Sequence, residues 1–279
     1  MKELIVLAVH GMGQRKPNFA DGLEEKLTEY LGSDVMNKVS LQRVKYYSAL
    51  QAPQDQLIND IWQTYHNRFS TLSNLGRRFF MNSFSDATSL EVAGRRQTDD
   101  YMEIIKALQA AFFKGMNECG FNTNVPVVII CHSLGAQVIS NYFWDALNRN
   151  DAKVWDKNHN DFLQNIDDDK LAYLKGNRVK LLFTTGCNIP LFLGGLQTRE
   201  CFTKPSIEFS WLNYFDGDDW LGWPLKELGP SYQFVIDQCV SVGGPISGNT
   251  PWSHTLYWTD KDVYRAFGDR IKGFLGART

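Results

Sequence analysis

The chain has no apolar run long enough to cross a bilayer among its 279 residues, where about 20 consecutive apolar residues are needed. Its first apolar stretch, residues 4–9, is too short for a signal-peptide core, and no small-residue cleavage site follows it. An excess of one charge is missing too: 29 Lys and Arg stand against 31 Asp and Glu, a formal net charge of −2. That balance leaves no general electrostatic case for a nucleic-acid or anionic-membrane partner. Cysteine is sparse and odd in number. Cys119, Cys131, Cys187, Cys201 and Cys239 are scattered with no C-x-x-C spacing, which argues against a disulfide framework or a zinc site. The same pattern suits a reducing, cytoplasmic setting. Internal repeats and low-complexity segments are absent as well, and no motif calls for a cofactor or a metal.

What the chain does have is alternation of strand-like and helix-like segments. Short apolar runs at 4–9, 39–47, 125–131, 179–185, 206–214 and 235–242 read as strands. Between them, Leu23, Leu27, Tyr30 and Leu31 share a helical face that ends at Gly32, with Asp21 and Glu24 as a start signal. Ile104, Ile105, Leu108, Phe112 and Met116 mark a helix over 98–118, and Val263, Phe267, Ile271 and Phe274 mark a last one over 260–275. Residues 148–170 are charged and polar and read as a surface connection. The alternation predicts an α/β protein with an open, mostly parallel sheet, in one domain spanning 1–279.

The segment from about 50 to 97 exceeds an ordinary connection. Within it Ile58, Trp62, Tyr65, Phe69 and Leu72 recur at helical spacing, with Phe79, Phe80 and Phe84 beyond. Either a helix packed on the sheet or a cap beside a site satisfies this pattern, so 50–97 is expected to be a helical insertion. Asp86, in Phe84-Ser85-Asp86, is expected to cap a helix or make a buried hydrogen bond.

The most informative stretch is 125–137. A β-branched run stops at Cys131-His132-Ser133-Leu134-Gly135 and a helical pattern starts at once. Strand, sharp turn and helix together form the setting in which a serine of G-x-S-x-G type becomes an exposed nucleophile. Neighbours two residues away must be small; here they are Gly135 and the slightly larger Cys131. The first strand ends in His10-Gly11-Met12-Gly13, a glycine-bearing loop whose backbone N–H groups can approach a substrate oxygen. Met12 and Gly13 are the candidates there, with the N–H of Leu134 as the second donor of an oxyanion hole. The competing reading is that these glycines only turn the chain from strand to helix.

On these ordered motifs, over about residues 3–275, the chain resembles the α/β-hydrolase superfamily, in particular its lipase-like serine esterases. The resemblance implies an α/β-hydrolase fold trimmed to about six strands, because the His-Gly strand is the first here. It also implies the chain order Ser, Asp, His. Of five histidines (His10, His66, His132, His159, His254), only His254 comes late enough to serve the serine. His10 and His132 are then loop-positioning residues and His159 is surface.

The acid falls among Asp216, Asp218 and Asp219. Asp219, followed by Trp220-Leu221-Gly222-Trp223-Pro224-Leu225, fits the family pattern best, and the other two stay open. No further acidic ligands follow at the spacing of a calcium loop. Thr184–Pro190 resembles a loop bordering the active site, with Cys187 as a small pocket-lining residue. The implied activity is hydrolysis of a small-molecule carboxylic ester through an acyl-enzyme, with an apolar acyl group suggested by Trp220, Trp223 and the aromatic insertion. Thioester cleavage, acyl transfer and a non-catalytic binding module on the same scaffold remain alternatives.

Overall fold

A computed structural model describes residues 1–11, 18–46, 60, 97–243 and 253–276. Among the described residues six strands build one sheet: β1 (Leu4–Val9), β2 (Val39–Val44), β3 (Val127–His132), β4 (Val179–Thr185), β5 (Ser210–Asp216) and β6 (Val235–Val240). Their order is β2-β1-β3-β4-β5-β6, and every neighbouring pair is parallel. The described helices are α1 (Asp21–Leu31), α2 (Ser33–Met36), α3 (Asp99–Glu118), α4 (Leu134–Leu147), α5 (Asp168–Leu174), α6 (Ile189–Leu193) and α7 (Lys261–Phe274). This is the layout of a trimmed α/β-hydrolase fold, as expected. No helix among the described residues is long and apolar enough to cross a membrane.

The run Leu-Ile-Val-Leu-Ala-Val forms a strand buried along its whole length because helices cover both faces of the sheet. Side chains alternate across a strand, so Ile5, Leu7 and Val9 join the core under α3 and α4 while Leu4, Val6 and Ala8 join the core under α1 and α7. In β3, Val127, Ile129 and Cys131 face the first core, and Val128 and Ile130 the second. Burying one such Leu, Ile or Val contributes about 1.5–3 kcal/mol.

Three expectations are corrected. Residues 148–170 are not a plain surface connection. Two 3₁₀ turns, Lys153–Trp155 and Asp161–Leu163, bury Val154, Trp155, Leu163 and Ile166, and the buried Asn160 amide donates to Gln109 Oε1 and the Val154 carbonyl, both at 2.8 Å. Scattered apolar residues in a charged stretch have no period to betray their burial. Secondly, α1 starts at Asp21, where Asp21 and Glu24 signal it, but these carboxylates make no side-chain cap at an N-terminus whose preceding residue is Ala20. They accept instead from Arg43 Nη2 on β2, at 2.8 and 2.5 Å. Lastly, β5 starts at Ser210 rather than 206, while β2 and β6 end at Val44 and Val240, earlier than their apolar patterns suggest.

The register makes the strand ends level. Val9 pairs with Cys131, Cys131 with Thr184, and Thr184 with Asn213. The chain leaves β1 toward β2 and returns to place β3 on the other side of β1. A crevice opens beyond the carboxyl ends of strands at such a reversal. His10, Ser133, Gly186 and Asp219 all lie just past those ends.

Candidate active site

Ser133 is the single residue between β3 and α4. It adopts φ 53° and ψ −123°, a left-side conformation that costs a non-glycine residue about 1–3 kcal/mol and persists where the surroundings impose it. The surroundings here are explicit. The Ser133 N–H donates to the Thr185 carbonyl (2.9 Å), and the Ser133 carbonyl accepts from Ala136 N–H (3.0 Å). Gly135 rides so close to the end of β1 that a Cβ there would lie 2.7 Å from the carbonyl oxygens of both Val9 and His10. Cys131, the larger of the two flanking residues, is accommodated because its side chain enters the core under α3 and α4. Burial drives its thiol pKa far up, so it is an inert neighbour.

Asp219 is buried, as is His254, and the two meet: His254 Nδ1 lies 2.8 Å from Asp219 Oδ2. The same oxygen accepts from the Tyr257 hydroxyl at 2.9 Å, and Oδ1 accepts from the Leu221 N–H at 3.0 Å. Burial pushes the Asp219 pKa up. The hydrogen bond and charge of His254, with the Leu221 and Tyr257 donors, outweigh it and hold the carboxyl below its ordinary value. An ionised carboxylate only accepts, so Nδ1 of His254 carries the proton and Nε2 presents a lone pair. Gly222 lets the acid loop close over this pair: a Cβ there would lie 2.5 Å from Asp219 Oδ2.

The other two aspartates go elsewhere. Asp216 is buried, but its Oδ1 accepts from Asp218 N–H (2.9 Å) and its Oδ2 from Val242 N–H (2.6 Å), so it ties the acid loop to the exit of β6. Asp218 is exposed. Neither has a hydrogen bond to His254 among the described residues.

Ser133 reaches the same place from the other side. The Thr185 carbonyl that fixes its N–H precedes Gly186, where a Cβ would lie 3.0 Å from His254 Cε1. Ser133 Oγ and His254 Nε2 are both buried, and neither has a hydrogen-bond partner among the described residues. Leaving a buried polar atom unsatisfied costs about 1–3 kcal/mol, so two such atoms on a loop-end cluster point to function. Catalytic hydrogen bonds in ligand-free enzymes are often long and close only with substrate.

The other described histidines are His10, His132 and His159. His132 Nδ1 faces the Thr185 carbonyl at 3.1 Å, and its ring lies 4.6 Å from that of His254. Burial first, then the neighbouring His254, lower its pKa to about 3. His10 stacks on Tyr46 with ring centroids 4.1 Å apart, and the Tyr46 hydroxyl donates to the His10 carbonyl at 2.5 Å. Burial lowers the His10 pKa to about 4. His159 is exposed and pairs with Asp156.

Leu134 opens α4, where an N–H has no acceptor within its own helix. Met12 and Gly13, the other oxyanion candidates, lie outside the described residues; Gly11 is within them, and a Cβ there would lie 2.8 Å from Ser133 Cβ. Apart from residues 60 and 97, the expected helical insertion of 50–97, with its aromatic residues, His66 and Asp86, also lies outside the described residues. Cys187 belongs to the core rather than a pocket wall, with its thiol pushed up to about 12 by burial. Trp220 and Trp223 are exposed on the acid loop. Among the described residues no group of three or more His, Cys, Asp or Glu could hold a metal ion.

Two features were missed in the sequence. One is Tyr257. The other is the clamp on the far end of the acid loop, where the Asn213 amide donates to the Trp223 carbonyl (2.9 Å) and Asp237 accepts from Leu225 N–H (3.0 Å) and Lys226 N–H (2.8 Å). Tyr257 shares a segment with His254 and could have been noted there; an asparagine and an aspartate on neighbouring strands give no hint of meeting.

No family model matches the sequence, and no curated protein matches it either. Among solved structures the chain is similar to an acetyl xylan esterase, an iodinated complex, at 12% identity and a TM-score of 0.36, covering 99% of this chain and 98% of that one. It is also similar to a cutinase-like protein from Cryptococcus sp., at 13% identity and a TM-score of 0.39, covering 99% and 97%. Likeness at this level tells nothing of substrate or activity.

Proposed function

We propose that this protein is a serine hydrolase that cleaves a carboxylic ester through an acyl-enzyme, with Ser133 as nucleophile, His254 as general base and acid, and Asp219 as the orienting carboxylate. One observation carries the reading: a buried Ser133 at φ 53° is hydrogen-bonded to the Thr185 carbonyl, next to the Gly186 that packs on the imidazole of a buried Asp219–His254 pair, and neither Ser133 Oγ nor His254 Nε2 has a hydrogen-bond partner among the described residues. Ser133 Oγ attacks the ester carbonyl while its proton passes to His254 Nε2, and Asp219 stabilises the imidazolium. The oxyanion is held by the Leu134 N–H at the start of α4 and by an N–H of Met12 or Gly13. Collapse expels the alcohol, which takes the proton back from His254. Water, deprotonated by His254, then attacks the acyl-enzyme; the acyl–Oγ bond breaks, the acid is released and Ser133 Oγ takes the proton back from His254. Trp220 and Trp223, exposed on the loop that carries Asp219, suit an apolar acyl group.

A fluorophosphonate probe tests the reading. One equivalent should attach at Ser133 in the folded protein, and none in Ser133→Ala. Absence of labelling in the folded wild-type protein would favour a binding module instead. A panel of p-nitrophenyl esters and acyl thioesters then separates esterase from thioesterase: faster turnover of thioesters would overturn the ester assignment.

A further inference from the structure

We propose that Tyr257 is a positioning residue that sets how strongly Asp219 holds His254, a role that rests on the triad reading of Ser133, His254 and Asp219. The Tyr257 side chain is fully buried, and its hydroxyl makes two directed contacts. Its oxygen accepts the Asp216 backbone N–H at 2.8 Å, and it donates to Asp219 Oδ2 at 2.9 Å. A tyrosine hydroxyl rotates to suit its partners. Here a backbone N–H fills the acceptor side, so the proton points to the carboxylate and cannot turn away.

Asp219 Oδ2 therefore takes two donors, the Tyr257 O–H and the His254 Nδ1–H. They share the charge of one oxygen. Each donor lowers the electron density available to the other, so the tyrosine weakens the carboxylate's pull on the imidazolium while it fixes the carboxylate's plane. Burial and the charge of Asp219 raise the Tyr257 pKa, so the hydroxyl keeps its proton throughout the working range. Gly222 closes over the pair, since a Cβ there would lie 3.0 Å from Tyr257 Oη, and this keeps water from replacing the hydroxyl. The mount is stiff: His254 and Tyr257 sit on successive 3₁₀ turns, Ser253–Thr255 and Tyr257–Thr259. Among the described residues, the titratable groups facing the His254 imidazole are Asp219 from the acid loop, His132 from β3 and Tyr257 itself, with Asp216 acting through the tyrosine.

The experiment follows the His254 Cε1–H by NMR across pH in the wild-type protein and in Tyr257→Phe. Losing the donor should raise the imidazole midpoint by about 0.5–1 pH unit, the equivalent of one hydrogen bond. In ester hydrolysis the acid limb of kcat/KM should move up by the same amount while KM stays within about twofold. An unchanged midpoint in a folded variant overturns the proposal, because a purely structural tyrosine would change stability alone. Tyr257→Phe leaves the Asp216 N–H without its acceptor; if that variant does not fold, 3-fluorotyrosine at position 257 alone serves instead. Its stronger donor should move the midpoint down, and no movement overturns the proposal. The midpoint is read without turnover. Failure of fluorophosphonate labelling would sink the hydrolase reading, whereas the NMR comparison judges the tyrosine separately.

Discussion

Asp219 carries three donors while sitting almost wholly out of water: His254 Nδ1–H, the Tyr257 hydroxyl and the Leu221 N–H. Asparagine at 219 would offer one oxygen and an amide N–H₂ to a site that supplies only donors. His254 would then lose the partner that selects its tautomer. Asp219→Asn is expected to lower kcat by about 10⁴-fold, the scale of that substitution in a serine-hydrolase triad, measured with a p-nitrophenyl ester. Asp218→Asn, on an exposed side chain, should change kcat less than about twofold, as most surface substitutions away from a site do. Asp216→Asn should be read in stability, since its oxygens hold two backbone N–H groups, with a cost of about 1–3 kcal/mol. Asp216→Asn losing as much turnover as Asp219→Asn would refute the assignment. In the sequence these three aspartates are told apart only by the resemblance of the stretch after Asp219 to the family pattern. What separates them is the turn in which Asp219 N–H donates to the Asp216 carbonyl (3.2 Å); it aims one carboxylate inward and leaves Asp218 in water.

Among elements, the β3–Ser133–α4 turn was the most legible. A β-branched run, one serine and a helical pattern identify it, and the need for a small residue at 135 follows from chain crossing. The structure gives that need a distance: Gly135→Ala sets a methyl 2.7 Å from two backbone carbonyls that cannot swing aside. The variant should lose about 1–3 kcal/mol, the usual cost of overpacking, seen as a lower denaturant midpoint. Fluorophosphonate should also label Ser133 more slowly as the turn shifts. Full stability in Gly135→Ala would mean that the elbow is looser than the geometry says. The acid loop was far less legible. Its far end is fastened by Asn213 and Asp237 on β5 and β6, and by the Trp223 N–H donating to the Cys187 carbonyl (2.9 Å). Such fastening depends on strand register, which no local period encodes.

For the whole molecule, acid should be the weak side. His10 and His132 have folded pKa values lowered from 6.5 to about 4 and about 3. Below pH 6.5 the unfolded chain therefore binds protons that the folded one refuses. Stability is then complete above about pH 6.5 and falls as pH drops toward those folded values, by about 1.4 kcal/mol per pH unit for each histidine. The lowered pKa of Asp219 adds a further loss only below its ordinary value of 3.8. Urea unfolding at pH 7, 6 and 5 should show this decline, and His132→Asn should make it shallower by one histidine's share. An unaltered slope in His132→Asn would show that this ring titrates freely in the folded state.

By itself the sequence determined the layers and the order of the parts. Apolar runs and the 3.6-residue helical period are local properties, so β1, β3, α3 and α7 could be read from them, along with the serine turn and a late histidine that follows a cluster of aspartates. Only the tertiary structure decided which aspartate meets the imidazole, that Tyr257 shares its oxygen, and that residues 148–170 carry core. Those outcomes depend on groups far apart in the chain, such as His254 Nδ1 and Asp219 Oδ2 at 2.8 Å across 35 positions. Spacing along a chain reports which face a residue occupies; the parallel register that levels the strand ends decides whom it meets.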